Sequence, residues 1–491
     1  MTQNSKLFLL WSLPLALLLL ALRYHLVSQA GFPDFDSVRN WEIVQQLAAG
    51  DFRKMFHHLS PGLFLLYAPL AGFIHDFHVY IYLNAILNVA ALLVLVRFFQ
   101  QVFALKHWEA ALLFITLGTA VFLVYSARFF TIESAGMLIF SLVLQTYYYR
   151  FARNSRRHFY QTVALVALGL MFNYKFLLLL PVALVLELWH KDGVVNLKVL
   201  LNSLLIVLFP YVLLMVFSVV VGLPFYLFPA SYYSVLNPVT ENAAQRTGFF
   251  RLDVLYYFQY FLRFESPLLW LGVLGFPVIF RRWFIRGFNG YNYLGWVAFA
   301  VLGGMSLILK APRGLLFVYA LFYLLGFLTL RQFRLPRWLF AVLVLAASGY
   351  NIWLINREIY VYSRSGFPAL AEYVKRQEIR KVAGTVGIGL KPYLPPAITY
   401  QPVMAPEMLP QLKQQGFTHL LLDDYRKVTN VPGFKALEQE RPVFQSPEPH
   451  LAAPLLFLEH SEYTGLGFSE TMALHQQSLA DTVQLKLIRI P

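Results

Sequence analysis

The chain of 491 residues contains no cysteine, which excludes disulfide bonds, thiol catalysis and cysteine-ligated metal. It is also short of charge, since 13% of its residues are Asp, Glu, Lys or Arg, against about a quarter in soluble globular domains. Acidic residues are the scarcest charged type, with 25 Asp and Glu against 40 Lys and Arg. Carboxylates that gather in one stretch of this chain are therefore candidates for a functional site.

Apolar residues make up 58% of the chain and are gathered into long runs. A helix needs roughly 20 apolar residues to cross about 30 Å of hydrocarbon, and runs near that length recur as far as residue 356. This pattern predicts an α-helical polytopic membrane protein with about 11 transmembrane helices. The predicted spans are residues 7–27, 79–96, 108–126, 134–149, 159–173, 176–189, 199–221, 267–280, 291–309, 314–330 and 338–356.

The basic residues indicate how these spans are oriented. Most of the net charge of +15 comes from Lys and Arg between the spans, which is typical of a topology signal rather than of nucleic-acid binding. With a cytoplasmic N-terminus, the inside connections hold Arg97 and Lys106; Arg150, Arg153, Arg156 and Arg157; Lys191 and Lys198; Arg281, Arg282 and Arg286; and Arg331, Arg334 and Arg337. An odd number of spans then places the segment after residue 357 outside the cytoplasm.

Three segments are ambiguous, and the distribution of Lys and Arg decides the last two of them. Residues 7–22 also fit a signal-peptide core, but Arg23 interrupts the approach to a cleavage site, so we favour an uncleaved span. Residues 61–75 are short and contain two prolines, which indicates an interfacial or re-entrant helix. Residues 159–189 are expected to break at 173–175, because one long helix would place the later Arg clusters outside.

The composition changes after Arg357, and strand-like runs alternate with helical ones. Strands are predicted at 382–388, 419–422, 454–458 and 483–490, and helices near 368–377 and 407–415. We therefore predict a membrane domain at residues 1–356, with a first outer loop at 28–78, and a small extracytoplasmic α/β domain at 357–491.

The predicted outer connections collect the polar residues, whereas the middles of the spans carry almost no charge. Charge-free span middles favour a site at the membrane surface over a transport pathway. Simpler roles stay open: Asp36 as the N-cap of a helix at 37–49, the cations as headgroup anchors, and the histidine pair as a structural or metal-binding element. The candidates are Asp34, Asp36, His57, His58, Arg128, Glu133, Lys175, Lys310 and Arg313.

The order of these residues resembles that in polyprenyl-phosphate-sugar-dependent glycosyltransferases of the GT-C fold, over roughly residues 1–356. It is most similar to the group with protein O-mannosyltransferases and lipid A aminoarabinose transferases. The pattern runs from Asp36 through Gly50–Asp51 to the stretch 57–61, followed by Glu133, Lys175 and the pair Lys310 and Arg313. Two positions depart from it, since Ser37 stands where an acid usually follows and Glu133 stands where Asp is common.

This resemblance implies an inverting glycosyltransferase at the outer face of an inner (plasma) membrane. It implies a polyprenyl-phosphate sugar as donor and a glycan, lipid or protein hydroxyl as acceptor. The spacing to Gly50 favours Asp36 as the expected general base, and Asp34 stays open as the alternative, with Glu133 as a further catalytic carboxylate. Lys310 and Arg313 are the expected phosphate ligands, and Lys175, Arg128, His57 and His58 are further substrate contacts. No cofactor is implied, and a divalent metal is possible but not indicated. The alternatives are a transporter or flippase of lipid-linked sugar and a non-catalytic scaffold.

Overall fold

The structure is a computed structural model that describes residues 3–32, 34–57, 60–190, 194–236, 250–275, 288–308, 310–431, 433–480 and 484–491. Its first part is built from helices α1 (Gln3–Tyr24), α2 (Phe35–Ala48), α3 (Pro61–Ala71), α4 (Phe77–Val102), α5 (His107–Gly118), α6 (Val121–Ala127), α7 (Glu133–Ala152), α8 (Arg156–Phe172), α9 (Leu179–His190), α10 (Leu197–Val220), α11 (Leu227–Leu236), α12 (Leu255–Phe264), α13 (Pro267–Leu274), α14 (Gly290–Ser306), α15 (Leu316–Gln332) and α16 (Arg337–Glu358).

Each of the eleven predicted spans coincides with a helix or, for 108–126, with the bent pair α5 and α6. The span predicted at 267–280 is seen as far as α13, and residues 276–287 lie outside the described part of the chain. Among the described residues, five helices are long and apolar enough to cross a membrane, or six if the bent pair is one span. The remaining helices are shorter or less continuously apolar, so the count of eleven crossings stays a prediction.

The bend between α5 and α6 measures 61° and is stabilised by a buried carboxylate. Breaking the helix leaves the first amides of α6 without intrahelical acceptors. The Glu265 side chain accepts hydrogen bonds from the amides of Val121 and Phe122, at 3.2 and 3.0 Å. The predicted break near residue 174 is confirmed, because α8 ends at Phe172 and a 3-10 helix, Tyr174–Leu178, leads into α9.

The first outer loop contains one correction to the sequence analysis. Helix α2 begins at Phe35 instead of residue 37, and its N-cap is Asp34, whose Oδ1 accepts from the Ser37 amide at 2.8 Å. Asp36 therefore lies in the first helical turn and does not cap the helix. The segment expected to be interfacial or re-entrant forms α3, which starts with Pro61 at a position that tolerates the missing amide proton.

The C-terminal part contains a five-stranded sheet in the order β2-β1-β3-β5-β4. Strands β1 and β2 and strands β1 and β3 are parallel, whereas β5 is antiparallel to both β3 and β4. The strands are β1 (Lys381–Thr385), β2 (Thr399–Val403), β3 (His419–Leu422), β4 (Phe444–Pro447) and β5 (Gln484–Arg489), and the α-helices are α17 (Phe367–Arg376), α18 (Leu409–Gln414), α19 (Tyr425–Val428), α20 (Pro454–Glu459), α21 (Ser461–Thr464) and α22 (Phe468–Ala480).

The predicted strand at 454–458 is wrong, because these residues form helix α20. Its side chains from Leu455 to Leu458 are all buried, and a short apolar run has the same composition in a buried helix as in a buried strand. Strands β2 and β4 were not predicted. Both are edge strands, and each contains a proline that weakens the strand pattern, Pro402 and Pro447.

The C-terminal part packs directly against the helical part, and buried side chains of both form one continuous hydrophobic cluster. Lys391 forms an ion pair with Glu42 of α2. The Tyr256 hydroxyl of α12 donates to the Leu458 carbonyl at 3.2 Å. These contacts bring helices α20 and α21 against the start of α15, where several of the predicted site residues lie.

Candidate active site

Arg313 is the centre of the largest group of candidate residues. It lies in a 3-10 turn, Pro312–Leu315, at the start of α15, and its side chain is 13% exposed. Its Nη1 lies 3.0 Å from Oδ2 of Asp36, so the first outer loop and the late span meet in an ion pair. The structure therefore brings together the expected general base and one of the two expected phosphate ligands.

Two further carboxylates reach Arg313 from the C-terminal part, and sequence reasoning missed both. Glu459, at the end of α20, accepts from the backbone amide of Arg313 at 3.0 Å and lies 3.4 Å from its Nε. Glu462, in α21, forms an ion pair with Nη2. The only signal in the sequence was a short polar stretch, residues 459–463, directly after an apolar run.

Tyr463 adds a hydroxyl to the same group. Its oxygen accepts from Nη2 of Arg313 at 3.2 Å and lies 3.5 Å from Oδ2 of Asp36. Its ring lies beside the guanidinium, with 5.7 Å between the ring centre and Cζ. An Arg with three carboxylates and an aromatic ring around it is held in one orientation, which is the property that recognition of a fixed oxyanion requires.

Lys175 supports Arg313 from the other side. Its Nζ donates to the Arg313 carbonyl at 3.0 Å, and the Asn173 side chain fixes the Lys175 amide at 2.9 Å. Burial lowers the pKa of Lys175, while the negative charge of Glu133 acts in the opposite direction. The break between α8 and α9 thus places a cation beneath the site.

Glu133 and Asp34 line a narrow cavity next to this group, together with Arg313 and Glu459. Glu133 starts α7, is 5% exposed, and its Oε2 has no hydrogen-bond partner among the described residues. Burial and the neighbouring charge of Asp36 raise the pKa of Asp34 to about 6. The cavity is acidic on balance, and a ligand with hydroxyl donors matches its walls.

A hydrogen-bonded chain ties the first outer loop to the C-terminal part between Asp34 and Asp36. The Phe35 amide donates to the Tyr425 hydroxyl at 3.2 Å, and this hydroxyl lies 2.5 Å from Nε2 of His460. Nδ1 of His460 lies 2.8 Å from the Leu456 carbonyl, so Nδ1 carries the proton and Nε2 accepts from Tyr425. The position of Asp36 is therefore set partly by the C-terminal part.

The remaining predicted residues lie apart from Arg313. Nζ of Lys310 donates to the carbonyls of Arg251 and Ile308. Arg128 donates from Nη1 to the carbonyls of Arg23 and His25, at 2.9 and 2.5 Å, and from Nη2 to Ser363 at 3.0 Å. Arg128 thus joins the end of α1 to the turn after α16.

The histidine pair is described only in part. His57 lies in the turn before α3, and His58 lies outside the described residues. In the part of the chain that the structure describes, no group of three or more His, Asp or Glu is placed to hold a metal ion. The roles assigned to these histidines, to Lys310 and to Arg128 stay predictions.

The apolar helices and the small C-terminal sheet define a multi-pass membrane protein with a GT-C-type fold, as the resemblance implied. Two crystal structures show this likeness, both of ArnT from Cupriavidus metallidurans. The structure bound to undecaprenyl phosphate has a TM-score of 0.55 and 14% sequence identity, covering 90% of this chain and 96% of that chain. The apo structure has a TM-score of 0.53 and 15% identity, covering 90% and 97%.

At this level of identity the likeness shows the fold alone. Neither a protein-family model nor a curated protein sequence matches the chain. The activity is therefore argued from the geometry of the site.

Proposed function

We propose that the chain is an integral-membrane inverting glycosyltransferase. It transfers a sugar from a polyprenyl-phosphate-linked donor to an acceptor hydroxyl at the outer face of an inner (plasma) membrane. The likeness to a structure that holds undecaprenyl phosphate supports this donor class. The observation that carries the proposal is the contact between Asp36 and Arg313, which pairs a carboxylate with a cation at the end of an apolar helix.

The reaction needs two functions that this pair supplies. The oxygen of the acceptor hydroxyl attacks the anomeric carbon of the donor sugar and forms the new glycosidic bond. The bond from that carbon to the lipid phosphate breaks, and the polyprenyl phosphate leaves with the electron pair. The hydroxyl proton passes to Asp36 as general base, and Arg313 stabilises the charge of the departing phosphate.

Inversion places the base and the leaving phosphate on opposite sides of the sugar ring. The direct contact between Asp36 and Arg313 therefore belongs to the site before the donor is bound, and the sugar separates them in the complex. Lys175 donates to the backbone carbonyl of Arg313. This contact does not involve the guanidinium, so it can hold Arg313 in place in the donor complex as well. The further proposed substrate contacts are Lys310, Arg128, His57 and His58. In the proposed complex Glu133 faces the sugar.

A transfer assay with purified protein tests this proposal. The protein is reconstituted in nanodiscs and incubated with a panel of polyprenyl-phosphate sugars together with glycan, lipid and protein acceptors, and release of the polyprenyl phosphate is measured. We expect release with at least one donor, and loss of release in Asp36→Asn. Movement of an intact lipid-linked sugar across vesicles without release would instead support the transporter interpretation, and the donor panel would then show no product.

A further inference from the structure

The contacts of Arg313 divide its donors into two sets. Glu459 binds the backbone amide and the Nε edge, and its side chain is 10% exposed. The outer edge of the guanidinium, formed by Nη1 and Nη2, faces Asp36 and Glu462 instead. A guanidinium binds phosphate through two parallel N–H groups, so the outer edge is the one that a donor phosphate uses.

The charges around this edge are unfavourable for a phosphate. Asp36, Glu459 and Glu462 all contact Arg313, and the structure places one further cation on it, Lys175, at the backbone carbonyl. Asp36 contacts Nη1 and Glu462 contacts Nη2, so both donors of the outer edge are already taken by carboxylates. Both carboxylates must therefore leave this edge when the donor phosphate binds to it.

In the proposed complex the sugar separates Asp36 from Arg313, so Glu462 is the carboxylate that the phosphate itself replaces. Its side chain is 25% exposed, compared with 10% for Glu459 and 19% for Asp36. It also lies in α21, a helix of four residues that ends at Gly465 in a left-handed conformation with a φ of 69°. Glu459, in contrast, follows the fully buried face of α20.

We infer that the C-terminal part supplies two carboxylates to the phosphate site: Glu459 is a positioning residue that fixes Arg313, and Glu462 occupies the place that the donor phosphate takes. The inference rests on the proposed function, because it assigns roles within the same site. It makes the C-terminal part a component of the donor site, so that donor binding exchanges one anion for another at the outer edge of Arg313.

Binding of undecaprenyl phosphate to the full-length protein in nanodiscs tests the inference without turnover. Glu462→Gln removes the competing charge and keeps the shape of the side chain. We expect its Kd for undecaprenyl phosphate to fall about tenfold, which corresponds to about 1.4 kcal/mol. Glu459→Gln loosens the hold on Arg313, so we expect its Kd to rise. Glu372→Gln is the matched control, since Glu372 is exposed and pairs with Arg376 within helix α17.

If Glu462 had only a structural role, Glu462→Gln would not bind undecaprenyl phosphate more tightly. A gain in affinity therefore distinguishes competition with the phosphate from a purely structural role. If the wild-type protein binds undecaprenyl phosphate and Glu462→Gln has an equal or higher Kd, the inference is overturned while the proposed function stands. If the wild-type protein does not bind undecaprenyl phosphate, the donor class fails and the inference falls with it. In steady-state assays, Glu462→Gln should lower KM for the donor.

Discussion

The roles of Asp34 and Asp36 can be separated by two substitutions that the structure makes unequal. Asp34 caps α2 through the Ser37 amide, so Asp34→Ser removes the carboxylate and keeps a residue of equal capping strength. Asp36 does not cap the helix, and Asp36→Asn removes the base while keeping the size of the side chain. Each variant therefore tests one carboxylate for chemistry with the helix intact.

The expected losses of rate in the two variants differ by orders of magnitude. Losing general-base catalysis typically costs about a hundredfold to ten-thousandfold in rate, or about 3–5 kcal/mol of activation free energy. Asp36→Asn should show such a loss in kcat and still fold, because Glu459 and Glu462 remain on Arg313 and leave its charge compensated. Asp34→Ser should retain activity within several-fold. Asp34→Ala, which removes the cap, should lower the unfolding free energy by about 1 kcal/mol.

The assay is release of polyprenyl phosphate from the active donor, with thermal unfolding as the control for folding. If Asp34→Ser abolishes release while Asp36→Asn releases polyprenyl phosphate at a nearly normal rate, the assignment of Asp36 as the base is wrong. In that case Asp34 is the base, and its pKa, raised to about 6, suits that role near neutral pH. If both variants keep their activity, acid-base chemistry by this loop is ruled out.

Three other predictions concern the cations and the topology. Lys175→Met leaves the Arg313 carbonyl and the charge of Glu133 uncompensated, so it should lower the free energy of unfolding by about 1–3 kcal/mol. Adding Glu133→Gln should restore part of this stability. Strictly additive losses in the double variant would show that Lys175 and Glu133 do not interact. Burial lowers the pKa of Lys310 to about 8, so its ammonium is charged below that pH and neutral above it. The affinity for undecaprenyl phosphate should therefore fall between pH 7 and 9, and Lys310→Arg should remove this pH dependence. A pH dependence that persists in Lys310→Arg contradicts the role of Lys310 as a phosphate ligand. Because the chain has no cysteine, single cysteines report topology cleanly: in intact cells an impermeant maleimide should label Lys375→Cys and not Arg157→Cys, and the opposite pattern would invert the predicted orientation.

The positions of the helices could be predicted from the sequence because they depend on local properties. Apolar runs of sufficient length form helices wherever the backbone must satisfy its own hydrogen bonds. The break before Lys175 was also predictable, because the distribution of Lys and Arg requires it. The number of membrane crossings is less local, since helices such as α7 and α9 depend on their neighbours for burial.

The site was predictable only in part. The outer-loop pattern pointed to Asp36 and Arg313, and the structure joins them although 277 positions separate them. The pattern did not separate Lys310 from Arg313, which lie three residues apart but have different partners because the turn at Pro312 directs them differently.

The tertiary structure alone decided what surrounds Arg313. Glu459, Glu462 and Tyr463 lie about 150 residues further along the chain. They directly follow the predicted strand at 454–458, where the sequence indicated no site residue. Their role depends on how the C-terminal part docks against the membrane helices, and no periodicity or spacing records a docking geometry. The cap formed by Asp34 is, in contrast, a local contact that spans three residues. Local sequence thus determined which segments of the membrane part are helical, and long-range packing determined which charges meet.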